Sequence, residues 1–221
     1  MKSSFIVLLI VAVFAFGAND DLGAIHPSGP TGAGTDADVY SQTYDFGLVL
    51  NGYSNYTGRY VADDFELTDD YDVRTIDVWM IFTGAQATAM NLSILSDNAG
   101  DSDPSTATEI WAEAVPCVNT DTGDDNWGYD IWHTSCTVNT DIYPELDAGQ
   151  HYYFVTQGET GDNCFIIVSE NYVADLCWYN DGSGWVRSDA AFGENSDLFF
   201  DFYGELTAIE SMTWGSVKAL F

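Results

Sequence analysis

The chain has 221 residues, with 35 acidic side chains against five basic ones and a formal net charge of −30. That balance excludes a nucleic-acid binder, which needs clustered Lys and Arg to meet phosphates, and it disfavours anionic lipid for the same reason. Disorder is excluded too, because 46% of the residues are hydrophobic and 15% aromatic. A chain of this length suits one domain that buries roughly 70% of its unfolded surface.

Residues 1–17 read as a secretory signal peptide. Lys2 supplies the positive start, residues 5–16 (FIVLLIVAVFAF) are apolar, and AFG at 15–17 offers a small–x–small cleavage site. The apolar run is short for a bilayer span, and no later segment could cross one. The chain is therefore expected outside the cytoplasm, secreted or at the cell surface, with no transmembrane segment once the signal is removed. Arg59, Arg74, Arg187 and Lys218 would then be its remaining cations. The acidity has three readings: solubility through self-repulsion, divalent-cation binding through Asp clusters, or life in high salt.

Residues 18–40 are rich in Gly, Ala, Thr, Asp and Pro without periodicity, and are expected to form a flexible arm or linker. From Tyr40 onward, short apolar runs of period two alternate with Gly, Asn and Asp clusters. Strands are predicted over 46–50, 58–67, 73–82, 90–96, 108–118, 129–138, 151–157, 164–168, 176–179 and 198–203. Alternation is clearest in VRTIDVWMIF (73–82) and MNLSILS (90–96), each placing one apolar face against a core. No helical pattern separates the strands. The expected fold is all-β: an antiparallel β-sandwich of jelly-roll type spanning 41–205, followed by a C-terminal tail at 206–221. In that tail Trp214, Val217 and Phe221 could share a helical face, so it could dock on the sandwich or serve in sorting.

Cys117, Cys136, Cys164 and Cys177 are an even set in an exported chain, which favours disulfides. The expected pairs are Cys117 with Cys136 and Cys164 with Cys177, each bracketing a loop; free thiols are the alternative.

Several segments carry possible chemistry. In DNAGDSD (97–103), the oxygens of Asp97, Asn98, Asp101 and Asp103 around a glycine bend suit Ca²⁺, although the same residue types also make plain polar turns. Trp178, Tyr179, Asn180, Asp181, Trp185 and Arg187 surround a Gly-Ser-Gly turn, and rings beside polar side chains are how a site holds a sugar. A second aromatic group, Trp127, Tyr129 and Trp132, lies beside the acidic stretch 121–126. No catalytic constellation stands out: there are only three histidines, no G-x-S-x-G occurs, Gly182-Ser183-Gly184 lacks an elbow context, and carboxylate pairs can be drawn anywhere in so acidic a chain. Asn55 and Asn91 begin N-x-S/T triplets.

The tail ESMTWGSVKALF (210–221) resembles a C-terminal motif of exported bacterial proteins, in which a Trp-Gly-x-Val/Ile-Lys core is presumed to direct sorting. The body has a looser resemblance, over residues 60–205, to exported bacterial jelly-roll surface domains. YVADDFEL (60–67) looks like their first core strand and LSILSDNAG (92–100) like their strand-then-turn element. LDAGQHYYF (146–154) is similar to their hairpin entry, and LFFDFYGE (198–205) to their closing strand. The resemblance implies a surface-attached structural, adhesive or glycan-binding module; the one cofactor the residues themselves suggest is calcium at 97–103. The function expected is a structural or adhesive surface module; the alternative is a lectin-like module, calcium-dependent or not, and a secreted glycoside hydrolase is the remote third.

Overall fold

A computed structural model describes residues 36–100, 102–139, 143–158, 164–170 and 175–207. The expected signal peptide, most of the expected arm and the tail beyond Thr207 lie outside the described residues. All of the described residues belong to one compact unit, Gly34–Phe221.

The chain is an antiparallel β-sandwich. In order, its strands are β1 (Ala37–Gln42), β2 (Val49–Ser54), β3 (Tyr60–Glu66), β4 (Tyr71–Phe82), β5 (Ala89–Ser96), β6 (Thr108–Asn126) and β7 (Tyr129–Thr137). They continue through β8 (Glu145–Leu146), β9 (His151–Gly158), β10 (Cys164–Ser169), β11 (Trp178–Asn180), β12 (Trp185–Arg187), β13 (Asp197–Leu198) and β14 (Phe200–Leu206). A 3₁₀ turn (Phe46–Leu48) precedes β2, and a five-residue helix, α1 (Ser188–Phe192), follows β12.

Sheet A is centred on β4, which pairs with β14, β7, β8 and β10; β1 lies beyond β14, and β2 and β13 pair with β10. Sheet B runs β6-β5-β9-β3-β11-β12. The long β6 belongs to both. Its first half pairs with β5 through Pro116, and from Cys117 it pairs with β7. Pro116 marks the crossing, where a residue without an N–H is tolerated at a bend.

Alternation explains the core. The inward positions of β4 (Ile76, Val78, Met80) and β14 (Phe200, Phe202) meet those of β3 (Val61, Phe65), β5 (Leu92, Ile94) and β9 (Phe154). Ring contacts join the sheets, with Phe154–Phe200 at 5.1 Å and Phe65–Phe202 at 5.0 Å between centroids. Asp63 carries a carboxylate into this core, where it accepts the Leu198 N–H at 2.7 Å, tying β3 to β13 across the sandwich. Burial, then the neighbouring Asp197 and Asp64, push its pKa well above the usual carboxylate range.

Three expectations change. The end of the predicted arm is structured, since β1 starts at Ala37 and pairs with β14. The strand expected over 46–50 begins only at Val49, because Asp45 caps the 3₁₀ turn by accepting the Gly47 N–H. The four cysteines stand as free thiols instead of two disulfides. Cys164 and Cys177 do not face each other. Cys177 is buried beside Ser196, 3.4 Å away, whereas the Cys164 thiol senses Cys117. Cys117 and Cys136 are directly opposed in the β6–β7 ladder, and the Cys117 thiol donates to the Val115 carbonyl at 3.4 Å.

Candidate functional site

The outer face of sheet B carries a groove lined by described residues. Its side chains follow from the register, since residues directly opposed in an antiparallel ladder share a face. One row reads Ala112, Ser93, Val155, Ala62, Trp178 and Arg187 across six strands. On one side of it lie Ala114, Asn91 and Gln157, with Tyr60, Asn180 and Trp185 on the far strands. On the other side lie Glu109, Leu95, Tyr153 and Asp64.

The small side chains Ala112, Ala114 and Ser93 leave a groove of about 400 Å³ over β5, β6 and β9. Tyr60 flanks it on the β3 side and Glu109 on the β6 side. Tyr60 and Trp185 hold their ring centroids 6.4 Å apart at 56°, so two aromatic surfaces stand together at the β3–β12 end. Within the groove, Asn91 Nδ2 donates to Gln157 Oε1 at 3.1 Å. The Gln157 Nε2 is buried and has no hydrogen-bond partner.

Beyond Tyr153 this face turns acidic. His151 is bridged by two carboxylates, with Nε2 at 3.0 Å from Asp64 Oδ2 and Nδ1 at 3.2 Å from Asp97 Oδ2. The Asp64 hydrogen bond raises the His151 pKa above its ordinary value, and the Asp97 charge adds to it. For Asp97, burial alone would raise the pKa, but the Gly100 and Ser102 N–H groups and His151 together bring it down. The Tyr153 ring meets His151 edge-on, and burial pushes its hydroxyl pKa far up.

The expected sugar-site residues divide. Trp178 and Trp185 are half-buried and pack on Ala62, Leu95, Tyr153 and Val155. Asn180 and Asp181 are engaged in their own turn: Asn180 Oδ1 accepts from Gly182 and Gly184, and Asp181 Oδ1 from the Ser183 N–H and hydroxyl. Arg187 forks onto Asp189 at 2.9 and 2.8 Å. Tyr179 points to the opposite side, because it pairs with inward-facing Val61; its ring packs on Tyr53 and Phe192.

The Asp-rich stretch also serves local structure. Asp97 Oδ1 accepts the Gly100 N–H, Asp103 Oδ1 accepts the Ser105 N–H, and Asn98 Oδ1 accepts from Ser96. Asp101 lies outside the described residues. Among the described residues no group of three or more His, Cys, Asp or Glu is placed to hold a metal ion. Trp127 and Tyr129, 53% and 45% exposed, crown the β6–β7 hairpin of sheet A, while Trp132 packs against the main core. Asn55 is fully buried and its Oδ1 accepts the Gly158 N–H, so the folded chain hides that triplet.

Tyr60, Ser93, Glu109 and Gln157 are not singled out by sequence pattern, and Asn91 only as the start of an N-x-S/T triplet. Their signal is only the polar phase of the alternation in β3, β5, β6 and β9, which marks a face without naming neighbours. No helix among the described residues is long and apolar enough to cross a membrane. No known family model matches the chain, and no curated protein matches it.

Proposed function

We propose that this protein is an exported surface module that binds a glycan on the outer face of sheet B. The observation that carries the reading is the groove itself: a floor of small side chains, an Asn91–Gln157 amide pair within it, and the Tyr60–Trp185 rings at one end. Carbohydrate sites combine rings that meet the apolar face of a pyranose with fixed amides that meet its hydroxyls. A hydrolytic role has less support, since the two carboxylates that line the groove, Glu109 and Glu113, stand on the same strand, β6, instead of flanking it from opposite sides.

The test is a glycan-array screen of the full chain, with Ca²⁺ and again with chelator. Binding that is abolished in Trp185→Ala and Tyr60→Ala, with circular dichroism unchanged, supports the reading; loss under chelator would add calcium to it. No binding in either condition defeats it. A structural or adhesive role then becomes the better account. What favours that second reading is the β6–β7 hairpin, an open sheet edge with Trp127, Tyr129 and Val118 (68% exposed) uncovered.

A further inference from the structure

We infer that the groove is built for an uncharged glycan and that the Gln157 carboxamide is the group that selects it; this rests on the glycan-binding reading above. Gln157 is 7% exposed and lines the groove. Its Oε1 is taken by Asn91, while its Nε2 carries two hydrogens and has no partner. A buried amide N–H₂ left unmade is unfavourable, so the position is set for a ligand that brings acceptor oxygens.

Three kinds of sugar could bring them. A uronate, sulfate or phosphate would place its charge beside Glu109 and Glu113 in a chain of net charge −30. No described cation lines the groove to offset it. Arg59 is hydrogen-bonded to the Tyr179 hydroxyl, Arg74 is forked onto Glu205 and Arg187 onto Asp189. An amino sugar would suit Glu109, but its ammonium is a pure donor standing where a neutral sugar has an acceptor hydroxyl, so it brings Gln157 one acceptor fewer. The hydroxyl and ring oxygens of a neutral sugar satisfy Nε2 without introducing charge. The same sugar can lay its apolar face on the ring pair at the β3–β12 end.

The experiment is isothermal titration calorimetry on the full chain at constant ionic strength. The probes are neutral gluco- and manno-hexaoses, a uronate oligomer of equal length and a glucosamine oligomer of equal length. The expected result is that a neutral oligomer binds at least tenfold more tightly than the uronate and glucosamine oligomers. Gln157→Leu should weaken neutral binding at least tenfold. Glu109→Gln, an exposed change that leaves the fold alone, should narrow the gap between neutral and uronate oligomers. Equal or tighter binding of the uronate or glucosamine oligomer overturns the inference and leaves the glycan reading standing. So does undiminished neutral binding by folded Gln157→Leu, or an unchanged neutral–uronate gap in Glu109→Gln. If none of the oligomers binds the unaltered chain, the glycan reading falls and this inference with it.

Discussion

The two outer faces of the sandwich have been treated in opposite ways. On sheet A, Trp79, Ile81, Ile131, Ile167 and Phe199 form a second small core, roofed by Tyr44, Leu48 and Val49 from the segment leading into β2. Tyr44 stacks on Trp79 at 5.2 Å and meets Phe199 edge-on at 5.3 Å, while its hydroxyl donates to Asp124. On sheet B the equivalent apolar set is Ala62, Leu95, Tyr153 and Val155, with Trp178 and Trp185 packed at one side and the Ala112–Ser93 region open. Each face also holds an Asp–His contact: Asp77 to His133 at 2.7 Å on sheet A, and the doubly bridged His151 on sheet B. Apolar bulk closes one face, and small or amide side chains keep the other available. A sheet therefore acquires a groove by what is withheld from it as much as by what is placed on it.

Trp79→Ala should break the contrast most strongly. Removing a buried ring from the roofed face is expected to cost about 3–5 kcal/mol, read as a lowered urea midpoint with unchanged slope. A loss below about 1 kcal/mol would mean that the roof contributes little.

Asp63→Asn comes next, with an effect on the order of 1 kcal/mol that changes with pH. The folded pKa of Asp63 is raised, so its contribution is fully present below the unfolded carboxylate value and is lost as pH rises through the folded value. An amide does not titrate. The variant should therefore gain on the parent chain between pH 4 and pH 8, and urea melts at the two values will show whether the difference has that sign.

His151→Asn tests the open face at about 0.5–1 kcal/mol. The raised His151 pKa places its contribution below the ordinary histidine value and removes it as pH climbs through the folded one; the lowered Asp97 pKa removes its share as pH falls through that value. The cost of the substitution should be greatest in mildly acidic solution and shrink by pH 9. A flat profile from pH 5 to 9 would rule out the charged bridge.

Trp185→Ala should have the smallest effect on stability, below about 1 kcal/mol because the ring is only half-buried, yet it should abolish glycan binding. A stability loss as large as that of Trp79→Ala would erase the distinction between the faces.

Much of the sandwich was legible because alternation is a local signal. Residues 73–82 and 90–96 gave β4 and β5 almost to the residue. The polar elements escaped. β1 (ADVYSQ) and the outer half of β6 (VNTDTGDDN) have little apolar content, and are held as strands by partners far along the chain, β14 and β7. The aromatic cluster at 178–187 was visible as composition, but its phase was not. Tyr179 lies inward, between Trp178 and Asn180 on the outer face, and only pairing with Val61 fixes which is which. The groove was least legible, since Asn91, Gln157 and Tyr60 meet through register between strands well separated in sequence.

The strand shared by the two sheets has a mechanical consequence. Because β6 is laddered to β5 in one half and to β7 in the other, the sandwich cannot open like a book along that side. A pull on the Trp127 hairpin runs down the same backbone that carries Ala114 and Ala112 beneath the groove. Tension on the tip of one sheet is thus borne by the groove floor of the other, and a pulled molecule would feel it there first.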